Sequence, residues 1–270
     1  MTPAPAIRRM STGGAVAILV GAIAFASGGQ PTHAHQIPAT TPAPPHHQLG
    51  RSTERRPILA TELGDPRSAL KILVIGAVHG NEPAGIDVTR RLAAGPPPRH
   101  ADVWIIDDLN PDGVAHGTRQ NARGVDLNRN FPFDWRPLGR RGSLDYSGPA
   151  PLSEPETRIA HNLIQRLHPA ITIWFHQPLD LVDLSGGNAV LERRYAHLLG
   201  VPAKRLSRYP GSATGWQNHR LPGTTAFVVE LPAGALPPPA AQRDATAVRT
   251  LVDAIAPTAT HVRQAETRAL

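Results

Sequence analysis

The chain of 270 residues has no cysteine. That excludes a disulfide scaffold, a cysteine zinc finger, an iron–sulfur protein and a cysteine nucleophile, and leaves any metal to His, Asp and Glu. Lysine is almost absent. Lys71 and Lys204 stand alone, so the net charge of +7 is carried by arginine. The arginines form short clusters, such as Arg51–Arg55–Arg56, Arg140–Arg141 and Arg193–Arg194. None is the basic run or helix face that nucleic-acid binding requires, so no nucleic-acid partner is expected. A basic chain does suit an anionic cell wall. Charged residues are 18%, below the average of about 25%. Aromatics are only 4%, against 29 prolines and 24 glycines. That much proline excludes a coiled coil, and the lack of a glycine period excludes collagen.

The chain also lacks an apolar run of the ~20 residues that span a bilayer as a helix. The run that comes nearest is Gly13–Ala26, preceded by Arg8 and Arg9 and ending in Ala24-Phe25-Ala26, with Thr32-His33-Ala34 as a second cleavage site. Residues 1–26 are therefore expected to be a signal peptide, and the protein to be secreted, extracellular or cell-wall associated. No membrane contact is expected after removal; an uncleaved anchor is the alternative. Residues 27–57, rich in Pro, His and Thr, are expected to form a disordered linker. His33, His35, His46 and His47 then read as solvated side chains of a tether.

From Ile58 to the end, 58–270, the pattern becomes that of one α/β domain. Lys71–Val78 is an unbroken apolar run, as in a strand buried on both faces. Val103–Ile106, Ile171–Phe175 and Thr225–Val229 repeat it. Helical spacing separates them, over Glu82–Ala94, from Ser153 to about Leu167, over Ala189–Leu199 and over Asp244–Ile255. Ser153 and Glu156 have the spacing of a capping box. Residues 113–148 read as a long loop, and a loop of that length in a compact domain is usually functional. The expected fold is a mixed, mostly parallel twisted sheet flanked by helices.

Three of these strands run into polar residues at their carboxyl ends, where open α/β sheets bind ligands. The first leads to His79-Gly-Asn-Glu82, the third to His176 and the fourth to Glu230. Two histidines with a glutamate are a donor set for catalytic zinc. Each residue taken alone also fits an ordinary polar role at a strand end.

At this point the sequence resembles the zinc metallocarboxypeptidases of the carboxypeptidase A-like family. The resemblance rests on His79-Gly-Asn-Glu82, Asn110-Pro-Asp-Gly113, Thr118-Arg119, Gly124-Val-Asp-Leu-Asn128-Arg129-Asn-Phe131, Ser147-Gly-Pro149, Ser153-Glu-Pro-Glu156, His176 and Glu230-Leu-Pro232, in that order. It implies one zinc ion per chain, held by His79, Glu82 and His176. It implies that Glu230 is the general base for the zinc-bound water and then the acid for the leaving amine. Arg119 would stabilise the oxyanion. Asn128 and Arg129 would bind the substrate's free carboxylate, and Tyr209 would cover the pocket.

Within the family the resemblance is to murein peptide amidases, through Arg119–Pro132, His176-Gln-Pro-Leu179, the segment from Tyr209 to Trp216, and Glu230-Leu-Pro-Ala-Gly234. It implies hydrolysis of the γ-D-glutamyl–diaminopimelate bond in peptidoglycan peptides. Asp180 and Asp183 are candidates to meet the ammonium of diaminopimelate, with solvated loop acids as the alternative. Thr214 and Gly215, near the position where the family sets side-chain preference, are uncharged and do not support a basic preference. The alternatives are a secreted carboxypeptidase that trims protein C-termini, a zinc deacylase of N-acyl amino acids and a non-catalytic wall-binding module.

Overall fold

A computed structural model describes residues 44–268 of the chain, with side chains as far as Ala256. Eight strands form one sheet: β1 (His46–Arg51), β2 (Pro57–Gly64), β3 (Lys71–Ile75), β4 (Asp102–Ile106), β5 (Ile171–His176), β6 (Leu179–Asp183), β7 (Ala203–Lys204) and β8 (Thr225–Pro232). Their order is β1-β2-β4-β3-β5-β8-β6-β7. The central four, β4, β3, β5 and β8, are mutually parallel, and β2 and β6 flank them antiparallel. The helices are α1 (Ala84–Ala94), α2 (Pro111–His116), α3 (Pro155–Leu167), α4 (Ala189–Leu199), α5 (Ala213–Arg220) and α6 (Pro238–Arg268).

The unbroken apolar runs are explained by burial on both faces. Along β3, Ile72 and Val74 pack on one side with Val88 and Leu92 of α1, and Val248 and Leu251 of α6. Leu73 and Ile75 point the other way, toward Leu163 and Ile164 of α3 and Trp216 of α5. A strand alternates its side chains between faces, so a strand with helices on both sides carries apolar residues on both faces. The chain passes from β3 to neighbouring β4, then crosses to β5 on the other side of β3. Between the carboxyl ends of β3 and β5 the strand order reverses, which opens a crevice there.

Several local expectations need correction. The linker over 27–57 lies partly outside the described residues, and within them the chain is already a strand: β1 pairs antiparallel with β2. His46 bonds Thr61 at 2.9 Å, and His47 bonds Glu62 at 2.7 Å and stacks on Trp104. An edge strand half open to water needs no apolar run, and tertiary pairing alone specified this one. The signal segment 1–26 lies outside the described residues. Among those described, no helix is long and apolar enough to cross a membrane. The capping box is also absent. Glu154, not Ser153, caps α3, without a side-chain bond, while Ser153 Oγ donates to Glu154 Oε1 and accepts from Asn130. The long loop includes a 3-10 turn at Leu127–Arg129. The terminal helix starts at Pro238, before the expected Asp244. The helix α4 has the expected bounds, set by the Asn188 side chain at its start and a left-handed Gly200 at its end.

Asp244 is buried in α6, and its Oδ2 has no hydrogen-bond partner among the described residues. Burial pushes its carboxyl up to about 6, with the charge of Arg243 opposing the rise and that of Asp180 adding to it. The folded state therefore holds this proton more tightly than the unfolded chain, whose aspartates titrate near about 3.9. Stability should fall as pH rises from about 4 to about 6 and change no further above that. Asp244→Asn removes the charge while keeping the shape. It should raise the urea midpoint at pH 8, by on the order of 1–3 kcal/mol of stability, and leave it unchanged at pH 3.5. An equal effect at both pH values would refute the titration.

Candidate metal and carboxylate site

The turn that follows β3 begins the site. His79 leaves the sheet, the Glu82 N–H donates to the His79 carbonyl at 3.2 Å, and α1 starts two residues later. Gly80 lies so close to the backbone of Gly113 that a Cβ would sit 1.8 Å from its carbonyl carbon. Close approach, not an unusual turn, is what requires glycine there. His176 ends β5 beside Glu230 of β8, its register partner. The sequence positions far apart thus meet at one crevice.

His79, Glu82 and His176 are all buried, and one ligand atom from each lies within 4.8 Å of the others. Glu82 Oε2 is 3.0 Å from His79 Nδ1, 3.1 Å from His176 Nδ1 and 3.2 Å from the Gln177 N–H that donates to it. On its other side His79 Nε2 meets Asp126 Oδ1 at 3.0 Å. Asp126 thereby fixes the ring with Nδ1 turned inward, as carboxylates orient metal-bound histidines. Two inward nitrogens and one carboxylate, buried and mutually close, are a donor set that fits zinc. His176 Nε2 is buried and has no partner among the described residues.

The acids here titrate differently. Burial alone would raise Glu82, but the two imidazoles outweigh it and hold the carboxyl well below the usual range. Asp126 is lowered in the same way, against its burial, by His79 and Arg119. At Glu230 the charges of His79 and Arg119 lower the carboxyl less than its burial raises it. Burial pushes it up to about 7, with the Glu82 charge adding to the rise. Its Oε2 is buried and has no hydrogen-bond partner among the described residues.

The remaining expected residues line the same cavity as Glu82, His176 and Glu230. Arg119 Nη1 donates to Glu82 Oε1 at 2.7 Å and its Nε to Asp126 Oδ2 at 3.1 Å. Arg129 is only 8% exposed, and its Nη1 donates to the Asn128 carbonyl at 2.8 Å. Its Nε is buried without a hydrogen-bond partner among the described residues. Asn128 Oδ1 accepts from the Ala213 N–H at 2.9 Å, tying the 3-10 turn to the start of α5. Gly211 follows Arg129 closely, since a Cβ on it would lie 2.1 Å from the Arg129 carbonyl oxygen, and its φ of +72° also favours glycine. The Tyr209 ring lies over the Arg129 guanidinium, 4.1 Å from centroid to carbon, and is half exposed.

Asp180 and Asp183 are not the pair of loop acids the sequence suggested. Asp180 is exposed at the start of β6. Asp183 is buried and accepts from Ser185 Oγ, the Leu206 N–H and Arg208 Nη1. Thr214 lines the cavity and Gly215 is not among its lining residues. Sequence reasoning missed the roles of Asp126 and of Gln177. Gln177 accepts from the Ala84 N–H at 3.1 Å and donates to the carbonyls of Pro232 and Gly234, at 2.7 and 2.8 Å. Asp126 was detectable, because a metal-binding histidine needs an acceptor for its second nitrogen and Asp126 lies inside the Gly124–Phe131 motif.

Comparison with known proteins agrees with this geometry. The zinc carboxypeptidase (peptidase M14) family model matches residues 98–197, a span that includes His176 but not His79 or Glu230. Murein peptide amidase A of Vibrio campbellii is 32% identical over 174 residues, covering 59% of this chain and 68% of that protein. The chain belongs to the zinc carboxypeptidase family. Murein peptide amidase A of Escherichia coli (strain K12) is 33% identical over 157 residues, 53% of this chain, and the match spans 64% of that protein's length. Among solved structures, the murein-tripeptide amidase of Escherichia coli O157 superposes with a TM-score of 0.64 at 27% identity, over 77% of this chain and 92% of that one. Carboxypeptidase A of Helicoverpa armigera shares the fold, with a TM-score of 0.69 at 18% identity over 81% of this chain and 70% of that one.

If Asp126 orients His79, Asp126→Asn should weaken zinc affinity by about 10–100-fold while the fold persists. Competition against a chromogenic chelator, with circular dichroism alongside, measures both. Unchanged affinity would show that Asp126 serves only the fold.

Proposed function

We propose that this chain is an exported zinc hydrolase that cuts an amide bond beside a free carboxylate, and that its substrate is the γ-D-glutamyl–diaminopimelate linkage of peptidoglycan peptides. One observation carries the reading. Glu82 and His176 of the His79–Glu82–His176 cluster line one cavity with Arg129, a buried arginine whose Nε has no hydrogen-bond partner among the described residues. The relatives named murein peptide amidase support the substrate class. The apolar run after Arg8 and Arg9 supports export.

The chain's own residues divide the work. Zinc held by His79, Glu82 and His176 would supply Lewis acidity and a water acidified toward neutral pH. Glu230, whose Oε2 has no hydrogen-bond partner among the described residues, accepts a proton from that water at this oxygen and returns it to the nitrogen of the departing amine. Arg119 engages Glu82 and Asp126 with two of its five N–H donors, and the rest can face the carbonyl oxygen as charge develops on it. Arg129 and Asn128 bind the free carboxylate, which registers the scissile bond against the metal ligands. Tyr209 shields that ion pair from water. The same anchor would serve a protein C-terminus, so a secreted carboxypeptidase is the second reading.

Glu230→Gln should keep zinc and lose at least about 10²-fold in kcat on an L-alanyl-γ-D-glutamyl-diaminopimelate tripeptide. Near-normal turnover would remove Glu230 from the chemistry. A wild type that spares this tripeptide yet trims ordinary peptides would favour the carboxypeptidase reading. Arg129→Ala and amidation of the neighbouring carboxylate should each cut kcat/KM by about 10–100-fold, yet together cost little more than either alone. Additive losses would show that the two groups do not meet.

A further inference from the structure

A third arginine, besides Arg119 and Arg129, lines the same cavity. Arg208 precedes Tyr209, whose ring covers Arg129, and both residues line the same space. Its Nη1 donates to Asp183 Oδ2 at 2.7 Å, and its Nη2 donates to the Leu184 carbonyl. Asp183 is buried, and it also accepts from Ser185 Oγ at 2.7 Å and the Leu206 N–H at 2.8 Å. That carboxylate is therefore the mount for a guanidinium rather than a vacant acceptor for a ligand's ammonium. Two of Arg208's five N–H donors are used, and the others have no partner among the described residues. A long side chain fixed this way at a cavity rim, with its remaining donors free, is preorganised for an anion.

We propose that Arg208 is a specificity-determining residue that binds a second carboxylate, at the far end of the substrate residue whose first carboxylate meets Arg129. The inference rests on the reading under Proposed function and names what that site selects: a residue with two separated carboxylates, as in diaminopimelate. The other lining residues agree with this choice. Thr214 and Ser207 are uncharged. Of the acids, Asp183 is engaged by Arg208 and Glu82 by the two histidines, and Glu230 is assigned to proton transfer, so none is left over for a basic side chain. Lysine matches diaminopimelate as far as the distal ammonium but lacks the distal carboxylate, so the two residues isolate the contact.

The test compares zinc-loaded wild type with Arg208→Ala and Arg208→Lys on two tripeptides, L-alanyl-γ-D-glutamyl followed by meso-diaminopimelate or by L-lysine. Calorimetric binding of free meso-diaminopimelate and free lysine runs alongside. The expected wild-type preference for the diaminopimelate substrate is about 10–100-fold in kcat/KM, the worth of one charge-assisted contact. It should fall close to one in Arg208→Ala and recover in part in Arg208→Lys, which retains the charge beside Asp183. The binding preference between the free amino acids should follow the same pattern. An equal loss on both tripeptides, or an unchanged preference, would make Arg208 a structural partner of Asp183 and overturn the proposal. A wild type that cleaves neither tripeptide would defeat the proposed function instead. The binding preference and its loss in Arg208→Ala would then decide the assignment of Arg208 on its own.

Discussion

The Glu82 carboxylate is the meeting point of the site. One oxygen faces both inward imidazole nitrogens and the Gln177 N–H, and the other accepts from Arg119. Its burial would be unfavourable for a lone charge, and these four groups are what make it tolerable. They come from the β3–α1 turn, the end of β5 and the long loop before α3. Fixing one carboxylate therefore fixes three segments, and the cavity follows from their placement. Removing Glu82 would leave Arg119 with Asp126 as its remaining acid partner.

A second tier of contacts holds the first. Asp126 grips His79 and Arg119, and its backbone N–H donates to the Tyr146 carbonyl at 2.8 Å. Asn128 reaches the start of α5, and the Phe131 N–H donates to the Gly211 carbonyl at 2.9 Å. The segment carrying Arg208 and Tyr209 is thus tied to the segment carrying Arg129. Its geometry can be kept although Arg208 and Tyr209 are themselves exposed. The sheet supplies rigidity at the carboxyl ends of β3, β5 and β8, and the loops supply the charges. This division lets a family keep one donor set while changing what the pocket selects.

Much of this was determined by the sequence alone. The central strands were legible because burial on both faces forces a nearly unbroken apolar run, as in Ile72–Ile75 and, but for Thr172, Ile171–Phe175. The bounds of α4 were legible because Asn188 and Gly200 act locally on helix ends. The histidines and glutamates at strand ends stood out against that apolar background, and their order carried the family resemblance. The tertiary structure decided the rest. β1 exists because β2 is beside it, and no local periodicity marks a short polar edge strand. Ser153 has the spacing of a cap, but a bond from Asn130 occupies its hydroxyl. Asp183 and Arg208 look like two unrelated charges in the chain, 25 positions apart. Only folding joins them, because the pairing of two buried or half-buried charges depends on distance in space and leaves no periodic trace in sequence.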